Sequence, residues 1–151
     1  MDRPCFSLGR CTSFHTEISA DLAITLLYWF PAIATASLIA WLSHQPSLPD
    51  LPGPIEIPDW FAHILEYGFF ELTVLYGITR GFQEGRRTMV RVVASVTMGS
   101  LYGITDEWHQ SFTFGRDASV GDWTADTVGA VLAGSMVIGI WRRMAALQPR
   151  V

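Results

Sequence analysis

Residues 105–116 read TDEWHQSFTFGR and are followed by Asp117, Asp122 and Asp126. This polar segment joins two apolar stretches, at about 89–107 and 120–141, each long enough to cross a bilayer. Ionisable groups at the end of a membrane helix are costly unless they pair, and they tend to mark a functional site. The segment therefore indicates how the chain folds, as apolar spans joined by polar loops, and where its function should be sought.

The composition is typical of a small integral membrane protein. Of the 151 residues, 50% are hydrophobic and only 16% are charged, and the mean hydropathy is +0.28. Four windows hold the roughly 20 predominantly apolar residues that cross about 30 Å of hydrocarbon. They are Leu22–Leu42, Trp60–Thr79, Met89–Glu107 and Val120–Trp141. We therefore predict an all-α, four-helix membrane bundle over residues 22–141, with cytoplasmic tails at 1–21 and 142–151.

The arginines predict the orientation, because the chain has no lysine. In a four-span arrangement, nine of the ten arginines fall in the two tails or around the connection between spans two and three. Positively charged segments stay in the cytoplasm, so both termini, Arg86 and Arg87 are predicted to be cytoplasmic, and Ser47 and Ser119 outside. The exception is Arg116, which lies in the outer polar segment. The topology therefore does not explain why an arginine occurs at this position.

Polar residues recur at helical spacing at the outer ends of the second and fourth spans. The second span carries four of them at i, i+4, i+7 and i+8, which places them on one stripe: Asp59, His63, Glu66 and Tyr67. The fourth span repeats this with Asp122 and Asp126. Gly129 and Ala133 extend the same face inward, where small residues allow another helix to approach closely.

The third span adds a stripe at the same depth. Asp106 and Gln110 share a face, His109 lies beside it, and Glu107 points about a quarter turn away. In a bundle these stripes are expected to converge at the outer membrane surface. The predicted cluster contains Asp59, His63, Glu66, Tyr67, Asp106, Glu107, His109, Gln110, Arg116, Asp122 and Asp126. Because so many carboxylates cannot all stay ionised at close range, some must hold protons or a bound cation must compensate them.

Three motifs within these stripes resemble those of the VanZ-like family, named after a protein associated with resistance to the glycopeptide teicoplanin. The first, an aspartate, a histidine four on and a tyrosine four further, is similar to Asp59, His63 and Tyr67, with Glu66 a frequent companion. The second is similar to Asp106, Glu107, Gln110, Phe112, Gly115 and Arg116. The third is similar to Asp122, Asp126 and Gly129. The resemblance covers nearly the whole chain from the first span onward. Trp60, where lysine is frequent, and Glu71, where a small or apolar residue is usual, depart from the pattern.

The resemblance implies a multi-pass protein of the bacterial cytoplasmic membrane with a role in the cell envelope and a link to glycopeptide antibiotic resistance. It does not supply a mechanism. The expected partners are the lipid bilayer and an envelope precursor, without nucleic acid, and a homo-oligomer stays open.

Three functions remain open from the residues. The first is a binding protein whose outward pocket captures an envelope intermediate, such as a lipid-linked precursor or a peptide stem, with Arg116 as an anion clamp. Its ligand-binding residues are the predicted cluster without His109. The second is a membrane-embedded hydrolase or transferase, with a divalent metal as an option and Asp106, Glu107, His63 and His109 as catalytic candidates. The third is structural, with polar groups that only tie helices together.

Glu71 is a separate feature of the second span. At about 1.5 Å per residue from Trp60, it falls near the middle of the bilayer. We expect it to hydrogen-bond to a neighbouring helix.

Overall fold

A computed structural model describes residues 9–46, 58–83 and 87–147, with side chains from residue 21 onward. Over these residues the chain forms four α-helices and no strand. They are α1 (Gly9–Ser43), α2 (Asp59–Thr79), α3 (Thr88–Gln110) and α4 (Val120–Leu147). The predicted all-α class is confirmed, and α2, α3 and α4 begin within one residue of the predicted spans. The positions predicted for Arg86 and Ser47 lie outside the described residues.

The first helix begins earlier than predicted. It starts at Gly9 and not at Leu22, so much of the region predicted as a tail is helical. Residues 9–21 contain no proline, and a helix that has started in the apolar span can continue through them because each added residue gains one hydrogen bond. The predicted boundary followed the hydropathy, which does not report where a helix ends.

The four helices alternate in direction, and α2 contacts all three others. Tyr67 and Glu71 of α2 meet Tyr102 and Ser95 of α3 respectively, so these two helices run antiparallel. In the described part of the chain, α1 and α4 do not pack against each other. The outer ends of the predicted spans therefore lie together at one end of the bundle, which we call the polar end.

The closest approach joins α2 and α4 at two glycines. A methyl group added at Gly129 would collide with the carbonyl oxygen of Ile64 and would lie 3.0 Å from the backbone nitrogen of Gly68. Gly129 and Ala133 are both buried, which confirms the predicted close-packing face of the fourth helix. The two backbones meet one turn below the polar end.

Two of the helical segments are long and apolar enough to cross a membrane. These are Asp21–Ser43 within α1 and Val120–Leu147, which is α4, with mean hydropathies of 1.8 and 1.4. Charged side chains lower the hydropathy of α2 and α3, which do not meet the same criterion.

Charged groups in α2 and α3 nevertheless lie inside the bundle. Glu71 is 0% exposed and Asp106 is 5% exposed, whereas Phe69 and Trp108 are 60% and 68% exposed. We call this arrangement, with ionisable groups inside and large apolar side chains outside, the inverted polarity of the two helices, although α2 also buries Phe70, Val74 and Leu75. Helices on the surface of a water-soluble domain turn an apolar stripe toward the core and their charged residues toward solvent.

Candidate functional site

The polar end is centred on a contact between α2 and α4. Nδ1 of His63 lies 2.8 Å from Oδ1 of Asp126, and both side chains are buried. His63 is adjacent to Ile64 in sequence, and Asp126 precedes Gly129 by less than one helical turn. The close approach at Gly129 therefore brings the imidazole and the carboxylate within hydrogen-bonding distance.

Glu107 of α3 lies against the same pair and against the start of α4. Its Oε2 accepts a hydrogen bond of 2.6 Å from the backbone N–H of Ser119, and Oγ of Ser119 accepts one from the N–H of Asp122. These bonds satisfy N–H groups that the first turn of a helix leaves without intrahelical partners. One ligand atom from each of His63, Glu107 and Asp126 lies within 4.8 Å of the other two. We call these three residues the buried triad.

A second group of potential ligands shares His63 and lies closer to solvent. Asp59 is exposed and Asp122 is half-buried, and one oxygen of each lies within 4.8 Å of the other and of an imidazole nitrogen. The i, i+4 pairs predicted on α2 and α4 thus face each other, with His63 common to both groups.

Asp106 belongs to a separate network that joins α3 to α1. Its Oδ2 accepts hydrogen bonds from Oγ of Ser43 at 2.8 Å and from Nε2 of Gln110 at 3.0 Å. Ser43 was not among the predicted residues. Its position at the end of the first span, level with the outer ends of the others, is the signal that would have found it.

Arg116 has a structural role that its sequence position did not reveal. Its Nε donates to the carbonyl oxygen of Gln45 at 3.2 Å, and its Nη2 donates to that of Leu42 at 3.4 Å. Leu42 belongs to the last turn of α1 and Gln45 lies two residues past its end, so Arg116 ties the loop after α3 to the C-terminal end of α1. Arg116 forms no ion pair with a carboxylate in the part of the chain that the structure describes.

His109 does not join the cluster, so its predicted place there was wrong. The side chain is exposed, and its Nε2 lies 3.3 Å from Nδ1 of His44, an exposed residue just past the end of α1. The reason is the turn of about 100° per residue, which carries His109 away from the face shared by Asp106 and Gln110. His44 was also missed by the sequence analysis.

The other members of the predicted cluster come together at the polar end, although no contact joins all of them. They are Asp59, His63, Glu66, Tyr67, Asp106, Glu107, Gln110, Arg116, Asp122 and Asp126. Tyr67 is fully buried, and its hydroxyl group has no hydrogen-bond partner within the described residues. A role for these residues in binding stays a prediction.

Two cavities border this end of the bundle. A small polar cavity of about 30 Å³ is lined by Leu42, Ser43, Asp59, Ala62, His63, Glu66, Gln110 and Arg116. This volume is sufficient for one water molecule or one small ion. A larger groove of about 220 Å³ is apolar apart from Glu107 and Ser119, and is also lined by Ile104, Ala118, Val120 and Trp123. We call these the polar cavity and the apolar groove.

Glu71 lies deeper in the bundle than the cluster. Oγ of Ser95 on α3 donates a hydrogen bond to its Oε1, which confirms the expected bond to a neighbouring helix. Gly99 and Gly134 leave the space that the carboxyl group occupies, since a methyl group on either would lie 3.5 Å from one of its oxygens.

No protein-family model, curated protein or solved structure matches this chain.

Proposed function

We propose that this chain is a four-span membrane protein of the VanZ-like family that binds an amphipathic cell-envelope intermediate. The inverted polarity of α2 and α3 supports the four spans. Burying Glu71 and Asp106 while exposing Phe69 and Trp108 is unfavourable in water. In a bilayer, lipid solvates the apolar faces, and ionisable groups turn toward the bundle interior.

The arginines support an orientation with both termini in the cytoplasm. Arg80 follows α2, Arg87 precedes α3, and Arg142 and Arg143 lie near the end of α4. All four are at the end of the bundle opposite the polar end. By the positive-inside rule, the polar end then faces outward.

The position of Glu107 is the observation that supports the proposed ligand most directly. Its carboxylate belongs to the buried triad and also lines the apolar groove. A lipid-linked precursor combines an apolar chain with a polar head, and the apolar groove, with Glu107 and Ser119 in its lining, offers contacts to the region where the two join. The groove is large enough for a segment of an acyl or prenyl chain, whereas the polar cavity accepts only a small polar group.

The structural alternative accounts for only part of the polar end. Asp106, Gln110 and Arg116 have partners that tie helices together. The same explanation leaves one carboxylate oxygen of Glu107 and one of Asp126 buried without a partner, and such groups are costly. A catalytic role is less well supported for Asp106, whose Oδ2 accepts hydrogen bonds from Ser43 and Gln110, and for His109, which lies apart.

Lipid mass spectrometry on protein purified in mild detergent tests the ligand. We expect a co-purifying lipid-linked molecule with an ionic head. Ile104→Trp should fill the apolar groove and reduce retention severalfold. Leu101→Trp is the control, because Leu101 is similarly exposed on α3 but does not line the groove. Equal retention by both variants, or no such lipid on the wild type, would contradict the binding function.

Cysteine labelling in intact cells tests the orientation, in a background with Cys5 and Cys11 replaced by serine. An impermeant thiol reagent should label Phe114→Cys, which is in the outer loop, and should not label Arg87→Cys. Both positions are exposed, so accessibility within the protein does not favour either. Labelling of position 87 from outside would refute the proposed orientation.

A further inference from the structure

We propose that the buried triad, His63, Glu107 and Asp126, binds one divalent transition-metal ion. Three helices contribute one ligand each, and the ligand atoms lie within 4.8 Å of one another. Bonds of about 2.0–2.2 Å place two ligands of one ion roughly 3–4 Å apart, so only a small inward movement is required. The hydrogen bond of 2.8 Å between Nδ1 of His63 and Oδ1 of Asp126 already holds these two side chains together.

Each carboxylate of the triad has one oxygen engaged and one free. Oδ1 of Asp126 contacts His63, and Oε2 of Glu107 accepts the N–H of Ser119. The remaining oxygens, Oδ2 of Asp126 and Oε1 of Glu107, are buried without a partner within the described residues. Glu107 is 8% exposed and Asp126 is 0% exposed, so water does not readily replace the missing partners. These two oxygens accept no hydrogen bond, so their lone pairs are available to an ion, and Gly103 of α3 leaves space beside one of them, because a Cβ there would lie 2.9 Å from Oδ2 of Asp126.

The charge around the triad favours a cation. Asp59 and Asp122 add two carboxylates beside His63. The nearest guanidinium, that of Arg116, is engaged by carbonyl oxygens of α1. A divalent ion would offset the excess negative charge in a region where unpaired carboxylates are costly.

The ligand atoms of the triad indicate which class of metal ion the site binds. One imidazole and two carboxylates suit Zn²⁺, Mn²⁺ or Fe²⁺, whereas Mg²⁺ and Ca²⁺ prefer oxygen ligands alone. The polar cavity is lined by Asp59 and by His63, so it borders one of the three proposed ligands. The inference concerns an ion and does not depend on the proposed lipid-linked ligand.

Calorimetric titration with Zn²⁺ tests the site, using full-length, chelator-stripped protein in mild detergent, without a histidine tag and with Cys5 and Cys11 replaced by serine. We expect one ion per chain. Glu107→Gln and Asp126→Asn should each weaken binding by at least about 100-fold, because each removes a charged ligand. Their amide oxygens can still accept the hydrogen bonds from Ser119 and His63, so folding should be retained.

Two controls separate this site from others on the same chain. Asp117→Asn removes an exposed outer carboxylate that belongs to neither ligand group, and it should leave binding unchanged. His109→Gln removes one of two histidine nitrogens that lie 3.3 Å apart, an alternative place for a transition metal, and it should also bind normally.

Several outcomes would overturn the proposal. These are no binding by the wild type, normal binding by either Glu107→Gln or Asp126→Asn, loss of binding in His109→Gln, and preference for Mg²⁺ or Ca²⁺ over Zn²⁺. If a variant fails to fold, X-ray absorption of the Zn²⁺-loaded wild type decides the question. Two imidazoles or none excludes the triad. One imidazole among oxygen ligands supports a site at His63, and weakened binding in whichever of Glu107→Gln and Asp126→Asn still folds assigns that site to the triad and not to Asp59 and Asp122.

Discussion

Gly129 is the residue on which the contact between His63 and Asp126 most directly depends. Gly129→Ala places a methyl group against the carbonyl oxygen of Ile64, and the obstacle is backbone that cannot rotate away. We expect a loss of about 2–3 kcal/mol in the free energy of unfolding, by analogy with overpacked cores. Thermal unfolding in detergent measures it.

Gly139→Ala is the matched control on the same helix, because nothing lies within 4 Å of the added methyl group. Alanine should leave stability unchanged or raise it by up to about 1 kcal/mol, as its helix propensity exceeds that of glycine. Equal effects of the two substitutions would show that α2 and α4 do not depend on this approach.

Arg116 provides the second prediction at the residue scale. Arg116→Lys should lower the free energy of unfolding by about 1–2 kcal/mol, because an ammonium group cannot reach the carbonyls of Gln45 and Leu42 together as the planar guanidinium does. Arg142→Lys, at an exposed arginine near the end of α4, should have little effect.

Thermal unfolding and lipid retention together distinguish the two roles of Arg116. Normal stability with lost retention in Arg116→Lys would favour the anion clamp. Lower stability with normal retention per folded molecule would favour the cap on α1.

Among the elements, the start of α4 depends on groups from the loop and from α3. Ser119→Ala removes the hydroxyl that accepts the N–H of Asp122 and should cost about 1 kcal/mol of stability, the usual effect of losing an N-cap. Thermal unfolding provides the measurement. Ser135→Ala, on an exposed face of the same helix, should change stability by less than about 0.5 kcal/mol.

Ser119→Ala should have little effect on Zn²⁺ binding by the buried triad, because the backbone N–H that donates to Glu107 is retained. A stability loss no larger than that of Ser135→Ala would refute the capping role.

The inverted polarity is a property of the whole molecule. It predicts that a charge placed on the exposed apolar surface of the helices reduces the amount of folded protein in the membrane. Phe69 is 60% exposed on α2 and would face lipid in a four-span bundle. Phe69→Glu should reduce the abundance of folded protein in the membrane fraction, since a charged residue near a helix centre costs roughly 2–3 kcal/mol of insertion free energy.

Phe114→Glu is the control, because Phe114 is 92% exposed in the loop between α3 and α4 and a charge there should be tolerated. Quantitative blotting of membrane and soluble fractions makes the comparison. Unchanged abundance of Phe69→Glu would indicate that α2 does not cross the membrane.

The sequence by itself determined the helices and the faces on which their polar residues lie. Apolar windows located the starts of α2, α3 and α4 because these helices begin where an apolar stretch begins, whereas α1 starts well before its window. Spacing of three and four residues placed His63, Asp126 and Gly129 on inward faces. Periodicity depends only on residues close together in the chain, so it identifies the inward face of a helix without knowledge of the partner helix.

Only the tertiary structure decided which of these faces meet. It paired His63 with Asp126, placed Asp106 with Ser43, turned His109 outward and directed Arg116 to the end of α1. These pairings depend on the rotation and depth of each helix, which are determined by the close contact at Gly129 and by the path of the loop that carries Arg116. Those contacts join residues that are far apart in the chain, so they cannot be predicted from the spacing of residues along one helix.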